Sequence, residues 1–203
     1  MANTTDSRAV TGILLAAGGG RRLGGRPKAL LGHRGGLLVE HAVRTLREGG
    51  CDRVHVVLGA SASEVRARAE LTGCTLVENP LWESGMGSSL RAGLDSLRRT
   101  AATGALVTLV DQPGIGARAV TRVRTAWHGP ATLVAAAYEG RRGHPVLFGS
   151  AHWEGVMASA SGDRGARAYL SDHASALELV ECSDIAAAYD IDTPEDLARL
   201  TED

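Results

Sequence analysis

Residues 13–31 read ILLAAGGGRRLGGRPKALL, an apolar run that meets three glycines, two arginines, two more glycines and then Pro27-Lys28. The run is short and continuous enough to be a buried strand, and glycine is the residue that lets backbone N–H groups come close to a ligand. Bare backbone and cationic side chains at the end of one strand point to phosphate. The plainer alternative is a glycine-rich surface loop whose arginines are merely solvated.

Several enzyme classes bind phosphate on such a loop, and two of the usual patterns are not met here. A dinucleotide fingerprint needs a third glycine where Leu23 stands, and a carboxylate where the second strand ends in VVLGA (56–60). A Walker A loop needs Ser or Thr after its lysine, and Lys28 is followed by Ala29. The pattern that fits is LAAGxxxRxGxxxK, spelled by Leu15, Ala16, Ala17, Gly18, Arg22, Gly24 and Lys28. It resembles the signature of the nucleotidyltransferase superfamily, which moves NMP from an NTP onto a phosphorylated acceptor. Arg22 and Lys28 would neutralise the triphosphate and the departing pyrophosphate.

Outward from this loop, short apolar runs alternate with amphipathic segments. Strands are predicted at 11–17, 53–59, 74–79 and 105–111, and helices at 37–50, 63–72, 88–100 and 116–127. Residues 131–150 read as two strands joined through Gly140, followed by helices at 151–159 and 165–172 and a strand at 176–182. A closing helix begins at Thr193, its expected cap, with Pro194 in the first turn. The pattern predicts an α/β fold: a three-layer Rossmann-like sandwich, mostly parallel, with a late antiparallel hairpin. One domain over 1–203 is expected, with 1–10 as an unstructured leader.

Such sheets bind ligands at the carboxyl ends of their strands. The glycine cluster, Asn79-Pro80 and Asp111-Gln112-Pro113 all fall at that edge. A carboxylate at the end of a buried strand is unfavourable unless it meets a cation, and Mg²⁺ bound to nucleotide oxygens would serve. Asp111 capping a turn is the structural alternative. Asp190 and Asp192 form a second acidic pair, spaced to share one face of an extended segment or to cap the closing helix.

Bulk properties narrow the partners. The 203 residues carry 22 Lys and Arg against 23 Asp and Glu, so no basic field exists to hold a polynucleotide. Aromatics at 3% leave little for base stacking along a nucleic acid. Cys51, Cys74 and Cys182 form no CxxC and read as small buried hydrophobes. The polar N-terminus has no signal-like apolar stretch and no run is long enough to span a membrane, so a cytoplasmic protein is expected.

The stretches LLAAGGGRRLGGRPKALL, NPLWESGMGSSLRAGL, LVDQP, GRRGHPVLFG, GDRGARAYL and DIDTPEDLARL occur in this order over residues 11–200. Together they resemble the molybdenum cofactor nucleotidyltransferases, most closely the cytidylyltransferase branch. The resemblance implies a fold of the nucleotide-diphospho-sugar transferase type, Mg²⁺-dependent attack of a phosphorylated acceptor on an NTP, and a molybdoenzyme as possible partner. It places the nucleotide on Leu15, Ala16, Ala17, Gly18, Gly19, Gly20, Arg22, Lys28, Asn79, Ser88, Ser89 and Asp111. Arg22, Lys28 and Asp111 would be catalytic, and the metal would sit on Asp111 with Asp190 or Asp192. His144, Arg164 and Arg167 would contact the acceptor. Guanylyl-transferring relatives carry LAGG where this chain has Ala17, which favours CTP.

Two departures stand out. Gly19-Gly20-Arg21 replaces a small polar residue in many relatives and is expected to loosen the loop, and GHRGG (32–36) replaces a short apolar connection. Competing readings are a transferase acting on a sugar phosphate or a phospholactate, or one that guanylylates molybdopterin; a nicotinamide-dependent reductase of a nicotine-derived pigment; and a non-catalytic binding module.

Overall fold

β1 (Val10–Leu15) is buried along its whole length, as a strand flanked on both edges and covered on both faces must be. A computed structural model describes residues 9–200. The expected leader therefore lies outside the described residues over 1–8, while Val10 already pairs in β1. β1 runs parallel to β4 (Val54–Leu58) on one side and β6 (Gly104–Leu109) on the other. The sheet has seven strands in the order β5-β4-β1-β6-β8-β7-β9, with β5 at Thr75–Glu78, β7 at Leu133–Tyr138, β8 at Arg141–Gly149 and β9 at Glu178–Glu181. β8 is antiparallel to both β6 and β7, which places the late hairpin beside the parallel half. A small ribbon, β2 (Gly32–His33) with β3 (Gly36–Leu37), accounts for the GHRGG departure.

Period-two alternation sends neighbouring residues of each strand into two separate cores. Leu14, Val56, Leu58 and Leu106 pack with α1 (Leu38–Glu48) and α4 (Ala117–Thr125). Ile13, Leu15, Val57 and Val107 pack with α3 (Met86–Asp95), α5 (Trp153–Ser159) and α6 (Arg167–Asp172). This is the expected three-layer sandwich. Cys51 and Cys182 are buried and all three cysteines are free. Among the described residues no helix is long and apolar enough to cross a membrane.

Three element boundaries differ from expectation for local reasons. α2 (Ala62–Arg68) stops early because Ala69 turns extended, with φ −93° and ψ 137°. α3 starts at Met86, two residues ahead of Ser88, immediately after Gly85 at φ 103°. The closing segment is a 3-10 helix, Pro194–Leu200, with Thr193 at its entrance, where the Thr193 carbonyl accepts the Asp196 N–H at 3.1 Å. The Asp196 carboxylate reaches back to accept the N–H groups of Asp192 (3.0 Å) and Thr193 (2.9 Å) and the Thr193 hydroxyl (3.1 Å).

Candidate active site

The carboxyl edge of β1, β4, β5 and β6 opens into a cavity of about 520 Å³. Its lining includes Leu15, Ala17, Gly18, Gly19, Gly20, Arg22, Lys28, Ser89, Asp111, Asp190 and Asp192. The glycine loop is built tightly. The Gly20 carbonyl accepts the N–H groups of Leu23 (2.8 Å) and Gly25 (3.0 Å). Gly20 has φ 61°, and a Cβ there would fall 1.9 Å from the Arg26 carbonyl oxygen. Of the extra glycines expected to loosen the segment, Gly20 thus permits a close backbone contact and Gly19 a close approach of the Trp82 ring.

Lys28 is the electrostatic centre. Its Nζ donates to Asp111 Oδ2 at 2.6 Å and also to Asp192 Oδ1. Asp111 follows β6, and Asp192 is brought to it by a backbone bond from Ile191 N–H to the Asp111 carbonyl (2.9 Å). Burial opposes the Lys28 charge, but the two carboxylates outweigh it and hold the ammonium above its ordinary value. Burial pushes the Asp111 carboxyl up; Lys28 pulls it back, while Asp190 and Asp192 add to the rise. Arg22 is largely exposed and reaches Asp192 Oδ2 at 3.4 Å.

Asp190 takes a different course from Asp192. It accepts a hydrogen bond from Gln112 Nε2 at 2.8 Å and makes no contact with Lys28. Two carboxylates that share one cation, Asp111 and Asp192, form a hard oxygen pair suited to Mg²⁺ or Mn²⁺. No group of three or more His, Cys, Asp or Glu with metal-binding geometry occurs among the described residues. The remaining ligands of such an ion would be phosphate oxygens and water.

Of Asn79, Ser88 and Ser89, the first two are not arranged as expected. The three are 3%, 4% and 5% exposed, and Asn79 Nδ2 donates to Ser88 Oγ (2.8 Å) and Ser89 Oγ (3.0 Å). Asn79 Oδ1 accepts the Leu81 N–H at 3.0 Å, and Ser88 Oγ reaches the carbonyls of Leu81 and Gly85 at 2.9 Å each. Asn79 and Ser88 therefore fasten the 81–85 loop and do not face the cavity; Ser89 alone of the three lines it. Ala16 is likewise buried behind the lining. Starting α3 at Met86 is the cause, since it puts both serines inside the first turns of the helix and turns Ser88 away from the cavity.

A second cavity of about 350 Å³ adjoins the first and shares Leu15, Met86, Leu109, Asp163 and Asp190 with it. Its rim carries Arg142, His144, Arg164 and Arg167, and its floor includes Val107, Val146 and Phe148. Burial pushes the His144 imidazole down to about 4, against the pull of Asp190. His144 is therefore neutral near pH 7, and positive charge at this cavity comes from the arginines. Sequence reasoning gave no role to Arg142, two residues before His144, to Gln112, which follows Asp111, or to Trp82, which lines the larger cavity.

A parallel α/β sheet presenting a glycine loop, a lysine and paired carboxylates at its carboxyl edge defines an enzyme of the nucleotidyltransferase type. The chain belongs to the family of the MobA-like NTP transferase domain, which matches residues 12–177. It is 45% identical over 203 residues to a protein of Paenarthrobacter nicotinovorans named nicotine blue oxidoreductase, covering 97% of this chain and 98% of that one. The crystal structure of an Rv0371c homolog from Mycobacterium sp. strain JC1 superposes with a TM-score of 0.81 at 31% identity, covering 96% of this chain and 95% of that one. Rv0371c from Mycobacterium tuberculosis H37Rv in complex with manganese gives a TM-score of 0.75 at 30% identity, covering 96% and 98%.

Proposed function

We propose that this chain transfers CMP from CTP onto a phosphorylated acceptor of the molybdopterin type, with Mg²⁺ and release of pyrophosphate. The observation that carries the reading is the meeting of Asp111 and Asp192 on Lys28 at the mouth of the glycine loop. A divalent ion held by Asp111 and Asp192 would supply charge neutralisation at the reacting phosphate. An acceptor phosphate oxygen forms the new bond to the α-phosphorus, and the bond to the bridging oxygen breaks to free pyrophosphate. Lys28 and Arg22 are placed to hold the negative charge that builds on the leaving group. Gly18, Gly19 and Gly20 offer backbone N–H groups to the triphosphate. Arg142, Arg164 and Arg167 supply the positive rim for an anionic acceptor, while neutral His144 orients it by hydrogen bonding. The Ala17 methyl narrows the space beside the β1 turn and favours cytosine.

The competing reading is reduction of a pigment, raised by the relative from Paenarthrobacter nicotinovorans. The site speaks for transfer: Leu23 stands where a dinucleotide loop has glycine, and β4 ends at Leu58-Gly59 with no carboxylate for a ribose. A thermal-shift panel of CTP, GTP, ATP, UTP, NADH and NADPH, with and without Mg²⁺, tests both, because a bound ligand raises stability by mass action. CTP stabilisation that depends on Mg²⁺ is expected. A response to NADPH alone would replace transfer with reduction.

A further inference from the structure

The buried polar triad of Asn79, Ser88 and Ser89 holds in place a loop whose large side chain is Trp82. Trp82 and Glu83 border the 520 Å³ cavity, with Trp82 against the glycine loop. A Cβ on Gly19 would lie 3.0 Å from Trp82 Cζ3, and one on Gly59 would lie 2.4 Å from Trp82 Cβ and 2.9 Å from the Ala17 Cβ. Two glycines thus make room for the indole, and the Ala17 methyl is its neighbour. The half-buried ring keeps part of its surface open to the cavity.

Position along the sheet separates this ring from the charged groups. Trp82 follows β5 and Asp111 follows β6, with β4 and β1 between them. Three strand spacings amount to roughly 14 Å. The Asp111, Asp192 and Lys28 end suits phosphates, and the opposite end offers a flat aromatic surface, a methyl group and glycine backbone. We propose that Trp82 is the stacking platform for the nucleobase and that Asn79 and Ser88 are positioning residues for it. This inference rests on the nucleotidyltransferase reading. Stacking accepts any base because every base has a π-face, so Trp82 provides affinity while Ala17 discriminates.

Isothermal titration of CTP, GTP and inorganic tripolyphosphate against wild type, Trp82→Ala and Trp82→Phe tests the assignment. Trp82→Ala should weaken both nucleotides by about ten- to a hundredfold and leave tripolyphosphate within about twofold, with Trp82→Phe restoring most of the loss. Indole emission should also be quenched by CTP in the wild type and insensitive to it in Trp82→Phe. Equal weakening of tripolyphosphate would show that Trp82 merely props the glycine loop, and unchanged CTP binding would show that it meets no base. Either result overturns the platform with transfer intact. A wild type that bound no nucleoside triphosphate and released no pyrophosphate would remove the transferase reading and the platform together.

Discussion

The two ends of the larger cavity solve opposite problems with polar residues. At the Lys28 end, Lys28 and Asp111 are 14% and 20% exposed and line the opening as an ion pair that Asp192 joins. At the Trp82 end, Asn79 and Ser88 are neutral, buried and satisfied among themselves, and they present nothing polar to the ligand. Charges placed to receive a ligand remain partly solvated, whereas groups that hold a loop in shape are sealed away. Polar residues in one site can therefore serve chemistry or architecture, and burial separates the two roles.

The sharpest break in this comparison is Asp111→Ala. Losing half of the carboxylate pair should lower transfer by on the order of 10³-fold or more while the fold survives. Pyrophosphate release in excess Mg²⁺ reads the effect, and near wild-type turnover would make Asp111 a structural residue. Next in size is Ala17→Gly, which acts on selectivity and leaves both networks alone. One small group in a pocket is worth ~1–3 kcal/mol, so the CTP to GTP preference should shift towards GTP by about 10- to 200-fold. Competitive titration checks it, and a wild type that prefers GTP would overturn the cytidylyl assignment.

Asn79→Ala should behave as an architectural change. It strands the Leu81 N–H and the Ser89 hydroxyl, a loss of about 2 kcal/mol that lowers the melting temperature by ~4–8 °C. Turnover at saturating nucleotide should stay within a few-fold, and an unaltered melting curve would show that the triad holds nothing.

The mildest effect lies outside both ends, at Glu181. Its carboxylate accepts the Ser183 hydroxyl and N–H and the N–H groups of Gly140 and Glu139, which draws it down to about 2. A folded value below the unfolded one means stabilisation that is complete above the ordinary carboxylate range, near 4.5, and lost as pH falls towards 2. Acid should therefore loosen the tip of the β7–β8 hairpin, which leads to Arg142 and His144, and Glu181→Gln should flatten that dependence. Hydrogen exchange of the Glu139 and Gly140 amides between pH 5 and 2.5 measures it; identical profiles in the two proteins would count against the clasp.

Much of this arrangement was legible from short-range signals. The continuous burial of 10–15 and the turn from Leu15 into glycines follow from apolar run length and residue type, and so did the placing of Asp111 at a strand end. What was not legible depends on distant contacts. Asp190 and Asp192 are equivalent by spacing, and the bond from Ile191 to Asp111 separates them. Ser88 and Ser89 resemble a helix entrance until Gly85 starts the helix early. Trp82 had a faint signal, an aromatic just past a strand end, but its meaning needed Gly19 and Gly59 to be seen beneath it.

At the site's charged end Asp192 meets Arg22 and Lys28 across 170 and 164 positions of chain. On the ribosome the glycine loop, Trp82 and Asp111 all emerge well before Asp192. The growing chain thus carries one carboxylate of the cleft first and receives the second only after β9, the last strand of the sheet, has been made. Order of synthesis therefore delays the completed charge cluster until the sheet that supports it has been translated.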